Sequence, residues 1–268
     1  MSEIRVNGVS LYYEEHGAGE PILCLHGTGS SAALWVDAAI ELASRGRTIV
    51  YDRRGFARSE RPESYITNVQ QHTDDAAALI DALAASPAIV IGRSYGGDIA
   101  VDLALRYPDR VRALALLEGG GFSLSEAFMR WDAQLTEQAS AAAETDVNTV
   151  AETVLRSVLG DAGWEGMPES VKQIFTGNSP AIVAEFRGGP LEVSATELGA
   201  IVQPTLLVAG KDSPPAFEDV TNLMAKAMPR ARVEWVEGGH LINPAHPAVL
   251  TFIDEVLARS KARTAMKV

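Results

Sequence analysis

Gly92-Arg93-Ser94-Tyr95-Gly96 sets one serine between two glycines, each two positions away. The apolar run Ala88-Ile89-Val90-Ile91 precedes it and a helix-like segment, Gly97 to Arg106, follows. A buried strand, a Gly-x-Ser-x-Gly turn and a helix are the parts of a nucleophile elbow. The glycines remove Cβ atoms that would clash where the chain reverses so tightly. Ser94 is then expected on a strained corner, its hydroxyl pointing out of the sheet. A plain glycine-rich turn would share the pattern; the strand before, the helix after and the partners downstream separate the two readings.

A serine hydroxyl needs a base beside it. Of the five histidines, His240 sits in Glu237-Gly238-Gly239-His240, directly after the expected strand Arg232 to Val236. A loop leaving the same sheet edge as Ser94 brings this imidazole over the serine. His16 ends an early strand, His72 opens a surface helix and His246 stands at a helix start, so none of these is the expected base. The imidazole in turn needs an acid to fix its tautomer. Asp212 follows the strand Thr205 to Ala209 through Gly210-Lys211, and the chain order Ser…Asp…His favours it. Glu118, at the end of the strand Val111 to Leu117, is the alternative acid, able to reach the same ring from another loop. Asp98 and Asp102, on the helix after the elbow, are expected to be structural. For the oxyanion, the N–H of Tyr95 at a helix N-terminus is one expected donor. The other is the N–H of Thr28 in Leu25-His26-Gly27-Thr28-Gly29, a loop that His26 would brace. In Asp52-Arg53-Arg54-Gly55-Phe56-Ala57-Arg58-Ser59, the arginines are expected to be solvated, with carboxylate binding the alternative.

The positioning elements follow from hydrophobic patterning. Ile4 to Val6 and Val9 to Glu15 form a hairpin about Asn7-Gly8. Pro21 to Leu25, Thr48 to Tyr51, Ala88 to Ile91, Val111 to Leu117, Thr205 to Ala209 and Arg232 to Val236 read as buried strands. Helices are expected at Ala32 to Ser44, Val69 to Ala85, Ser94 to Arg106, Phe217 to Ala227 and Ala248 to Ala258. Apolar strands alternating with helices describe an α/β fold: a mostly parallel central sheet with helices on both faces. Between Phe122 and Ile201 the rhythm breaks into a helical pattern. This predicts a core of residues 1–121 and 202–268 with an inserted helical cap, 122–201, over the C-terminal edge of the sheet. Phe128, Met129, Met167, Phe175 and Phe186 suit the cap's own core, whereas Phe122, Trp131 and Trp164 are candidates to line a substrate pocket. The Ala139 to Ala143 run reads as helix surface.

The 268 residues, 47% hydrophobic and 22% charged, suffice for a large core. A net charge of −12 works against nucleic-acid binding. The one cysteine, Cys24, excludes an intramolecular disulfide and suits packing in a buried strand. No apolar run reaches bilayer length and no apolar core follows the charged start, so a cytoplasmic protein with no membrane partner is expected. The tail from Ser260 to Arg263 is expected to fray. Without a Cys/His cluster or a Gly-x-Gly-x-x-Gly after a strand, no metal and no organic cofactor is expected.

Together, His26-Gly27-Thr28-Gly29, Asp52-x-x-Gly55-Phe56-x-x-Ser59, the elbow at Ser94, Gly210-Lys211-Asp212 and Gly238-Gly239-His240 resemble the α/β-hydrolase fold family, in the family's order. The resemblance implies a cap after the sixth strand, a Ser94–His240–Asp212 triad and an oxyanion hole at Thr28 and Tyr95. Serine at the elbow disfavours the haloalkane dehalogenases and epoxide hydrolases of this fold, which carry aspartate there. Ala57 stands where glycine is common. Arg93 stands where histidine or a small residue is frequent, and could alter the pocket's charge. The expectation is a cofactor-free serine hydrolase of a small ester, working through an acyl-enzyme. Lactonase, carbon–carbon bond hydrolase and perhydrolase activities share the triad, and a non-catalytic ligand-binding member of the fold is the alternative of another class.

Overall fold

The computed structural model describes residues 2–62 and 67–265, with side chains up to 262. Eight strands make one sheet: β1 (Ser2–Val6), β2 (Val9–His16), β3 (Pro21–Leu25), β4 (Arg47–Tyr51), β5 (Ala88–Arg93), β6 (Val111–Leu117), β7 (Thr205–Gly210) and β8 (Ala231–Val236). Their order is β1-β2-β4-β3-β5-β6-β7-β8. β1 and β2 pair antiparallel through Asn7 and Gly8, whose φ of 45° and 80° give the doubly left-handed turn of a tight hairpin. β2 also runs antiparallel to β4, and all later pairings are parallel. Parallel pairing sends the C-terminal ends of β3, β5, β6, β7 and β8 to one edge, so each expected functional loop leaves the sheet there.

Side chains alternate across the pleat. Leu23, Leu25, Val90, Leu114 and Leu116 join one core with residues of α2 (Val69–Ala82), α3 (Tyr95–Arg106) and α9 (Pro215–Ala227). Ile22, Cys24, Ile89, Ile91 and Ala115 join a second core with α1 (Val36–Leu42) and α10 (Pro247–Ala265). Both faces of the central strands are therefore dry, which is why their sequences are continuously apolar. β8 is an edge strand, and its Glu234 and Trp235 are exposed.

Some boundaries differ from the expected ones. Ala32 to Ser44 divides into a 3₁₀ turn, Ala32–Trp35, and α1. α2 ends at Ala82, before Ala84 takes a φ of 50°. α10 continues past Ser260 to Ala265, and Arg112 Nη1 donates to Ser260 Oγ at 2.9 Å.

Between β6 and β7 the described residues form helices and no strand: α4 (Glu126–Thr145), α5 (Val150–Glu165), α6 (Glu169–Gly177), α7 (Ser179–Gly188) and α8 (Ala195–Gly199). They build their own core around Leu135, Val154, Trp164, Phe175 and Ile182. Ala139 is buried in it, so the alanine run is partly a packing face rather than surface. Asn178 ties this layer to the sheet. Its amide donates to the carbonyls of Gly29 (2.9 Å) and Ser30 (3.1 Å) and accepts from Ala57 N–H (2.8 Å). Among the described residues, no helix is long and apolar enough to cross a membrane.

Candidate active site

Ser94 sits between β5 and α3 with φ 54° and ψ −127°, a strained conformation for a non-glycine residue. The turn closes through Gly97 N–H to Ser94 O at 2.7 Å, and Ser94 N–H donates to Leu117 O at 3.1 Å. The flanking glycines are required by packing. A Cβ on Gly96 would collide with the carbonyl oxygens of Leu25 and His26, the latter at 2.8 Å. One on Gly27 would meet Arg93 O at 2.9 Å and Ser94 Cβ at 3.0 Å. The elbow and the loop after β3 therefore touch backbone to backbone.

His240 leaves β8 through Gly238-Gly239 and is 6% exposed, its ring 4.4 Å from that of Phe217. Its Nδ1 lies 2.8 Å from Glu118 Oε2. A carboxylate can only accept, so Nδ1 carries a proton, and in the neutral imidazole this leaves the lone pair on Nε2. Glu118 directly follows β6 with φ 46°. It also accepts from Gly210 N–H at 2.5 Å and Ser213 Oγ at 2.8 Å. Two further donors, Gly210 N–H and Ser213 Oγ, thus hold one buried carboxylate against the imidazole. The expectation that Asp212 would occupy this place is corrected. Asp212 is exposed, and among the described residues its carboxylate makes no hydrogen bond to His240. Its backbone N–H instead donates to Gly238 O at 3.0 Å, bracing the loop that carries the histidine. β6 and β7 are neighbours, so their two end loops compete for one imidazole, and the left-handed turn at Glu118 wins the position.

The loop after β3 is held from below. His26 Nε2 accepts from Arg53 N–H at 3.1 Å and its Nδ1 lies 2.9 Å from Gly27 O, so it braces the loop and keeps one tautomer. Burial, with the Arg53 charge next, holds its pKa well below the usual histidine range. Arg53 and Arg54 are buried in ion pairs rather than solvated, whereas Arg58 is exposed. Arg53 is fully buried and paired with Glu185 of α7. Arg54 grips Asp75 with two bonds of 2.7 Å. Arg58 pairs with Asp52 and lies 3.6 Å over the Tyr12 ring. His72 is likewise not on a surface: it is buried, with Nε2 2.8 Å from Thr67 Oγ1. Arg93 faces away from the nucleophile. It lies 5.3 Å over the Trp35 ring and reaches Ile242 O at 3.4 Å in the opposite core, and burial pushes its pKa down to about 10.

Ser94, Thr28 and Tyr95 share one cavity with residues of α4, α5 and α7, of about 80 Å³ measured as space open to the centre of a water molecule. That is room for several waters or a small organic molecule. Phe122 and Trp131 line it. Trp164 does not: it is 6% exposed within the helical layer's own core, with Lys172 5.4 Å from its ring. Three carboxyl residues that sequence reasoning did not place here also line the cavity: Asp98, Asp132 and Glu185. Asp98 was expected to be structural. Its position four residues after Ser94, one helical turn on, was the available signal. Burial pushes the Asp98 carboxyl well above its usual range. Asp132, on α4, is pushed up to about 6 by burial alone.

Residues 20–247 match the family described as alpha/beta hydrolase fold. The chain is 30% identical over 253 residues to "Putative carbamate hydrolase RutD" of Azorhizobium caulinodans, covering 89% of this chain and 91% of that protein. It is 38% identical over 124 residues to a 2-hydroxymuconate semialdehyde hydrolase of Pseudomonas sp. strain CF600, across 45% of this chain and 44% of the relative. Among solved structures, a thermophilic esterase from Thermogutta terrifontis superposes with a TM-score of 0.79 at 24% identity, over 97% of this chain and 99% of that one. With a sheet of this order, a serine on a strained turn after β5 and a family match over most of its length, the chain belongs to the α/β-hydrolase fold family and is a hydrolase.

Proposed function

We propose that the protein is a serine hydrolase of small carboxylic esters, working through an acyl-enzyme on Ser94, His240 and Glu118. The observation that carries this reading is the Glu118–His240 bond of 2.8 Å beside the serine's loop, with the imidazole's Nε2 left able to accept a proton. In this reading Ser94 Oγ bonds to the ester carbonyl carbon while its proton passes to His240 Nε2. The carbonyl oxygen takes the electron pair and rests on the N–H groups of Thr28 and Tyr95, the latter at the N-terminus of α3. The carbonyl re-forms, the bond to the alcohol oxygen breaks, and His240 returns its proton to that oxygen. Water repeats the sequence on the acyl-enzyme, releasing the acid and Ser94.

Hydrolysis of a carbamate is a second reading, favoured by the name of the Azorhizobium relative, which aligns along nearly the whole chain. The same triad would serve it. A fluorophosphonate probe tests the nucleophile: it should label the wild type and fail on Ser94→Ala. Labelling that persists in Ser94→Ala removes this serine from the mechanism. A screen of acetate esters against carbamates then separates the two substrate classes.

A further inference from the structure

The charged side chains lining the Ser94 cavity are all acidic, and no lysine, arginine or histidine is among the described residues that line it. Glu185 is committed to Arg53. The other two are not. Asp98 is wholly buried, and neither carboxyl oxygen has a hydrogen-bond partner. The backbone N–H groups of Leu191, Phe122 and Gly121 approach it and offset part of the effect of burial on its pKa. Asp132 is partly buried and its carboxyl makes no hydrogen bond among the described residues. A buried polar group left unmatched is costly, and one aimed into a cavity is matched when a ligand brings the partner. Aromatic rings complete the wall: Phe122 stacks on Phe128 at 4.2 Å, and Trp131 stands 5.3 Å from Phe128. An aromatic face left open to the cavity carries the negative potential that attracts a cation.

We propose that this cavity selects substrates bearing a protonated amine, received by Asp98 and Asp132 against the aromatic wall. The proposal rests on the serine-hydrolase reading for the reaction and adds the substrate class. Asp98 lies in the first turn of α3, directly after the turn that carries Ser94, and both residues line the cavity. The ammonium is therefore placed within the same cavity as the scissile ester. A carboxylate or phosphate in place of the amine would face two acids and no counter-charge.

Two isosteric esters test it. 2-(Dimethylamino)ethyl acetate is cationic at neutral pH, and 3-methylbutyl acetate is its neutral counterpart. The wild type should prefer the amine ester by about tenfold or more in kcat/KM, the yield of one charge-assisted contact. Asp98→Asn and Asp132→Asn, both close in shape to the native residue, should each reduce that preference about fivefold or more, on the same contact scale. Equal or faster turnover of the neutral ester by the wild type overturns the proposal, as does a preference that neither substitution changes. Asp132 is only partly buried, so its variant reports even if Asp98→Asn does not fold. Calorimetric binding of the two esters to Ser94→Ala reads the amine site without turnover. If the fluorophosphonate probe fails on the wild type while Ser94→Ala still binds the amine ester in preference, the nucleophile assignment falls and the amine site stands. If labelling succeeds and Ser94→Ala binds both esters equally, the amine site falls and the nucleophile stands.

Discussion

Glu118→Gln is the substitution that most directly tests how the site is held. The carboxylate accepts from Gly210 N–H at 2.5 Å, Ser213 Oγ at 2.8 Å and His240 Nδ1–H at 2.8 Å. An amide offers one accepting oxygen and one donating NH₂. If the oxygen stays on Gly210, whose backbone is fixed in β7, the NH₂ group faces Nδ1–H. The imidazole then moves its proton to Nε2, where it can no longer take the serine proton. If the amide turns over, the same conflict falls on Gly210. The expected loss in kcat/KM on p-nitrophenyl acetate is about 10³- to 10⁴-fold, or roughly 4–5.5 kcal/mol of transition-state stabilisation. The cost in folding stability should be smaller, about 1–3 kcal/mol, so thermal melting will show a folded variant. Asp212→Asn is the control. Its side chain is exposed, and a surface change of about 0.5 kcal/mol corresponds to little more than a twofold effect. A Glu118→Gln enzyme within tenfold of wild type, or an Asp212→Asn enzyme that loses as much as predicted for Glu118, would refute the reasoning.

Three further outcomes are expected. Gly96→Ala must move backbone, because its Cβ meets the His26 carbonyl oxygen at 2.8 Å. About 1–3 kcal/mol of destabilisation, or roughly 2–12 °C in Tm, should accompany loss of fluorophosphonate labelling. Glu185→Leu strands the buried Arg53 charge and should cost about 3–5 kcal/mol by chemical denaturation, whereas Arg53→Met/Glu185→Leu should recover most of it. Asp132 has its carboxyl pushed up from 3.8 to about 6, so the folded chain binds more protons than the unfolded one between those values. Stability should fall as pH rises through that window. Asp132→Asn should therefore melt higher than wild type above about pH 6, by about 1–2 kcal/mol allowing for partial exposure, and match it below about pH 4.

Particular residues show how far the chain was readable as text. The elbow at Ser94, the loop at Gly27 and the hairpin at Asn7-Gly8 are local: their glycines answer to contacts or dihedral angles set within a few residues or by a neighbouring strand. The apolar runs of β3, β5, β6 and β7 are legible because both faces of the central sheet are covered. Arg53 was not legible. Its partner Glu185 lies in another layer of the molecule, and no spacing between them distinguishes a buried pair from two solvated charges. Trp164 and Trp131 have the same hydrophobic character, yet one fills the helical core and the other faces the cavity. α4 and α5 decide that by their rotation about their own axes.

The sequence by itself determined the order of strands and helices, the strained corner that presents Ser94, and the loop that carries His240. Each depends on short-range steric rules and on the period of apolar residues. Only the tertiary structure decided which carboxylate meets the imidazole, because Glu118 and Asp212 end adjacent strands and a left-handed backbone angle of 46° at Glu118 turns its side chain inward. It also decided that Asp98 and Asp132 share a cavity with the serine, since they meet there only after the helices between β6 and β7 have packed over the sheet edge.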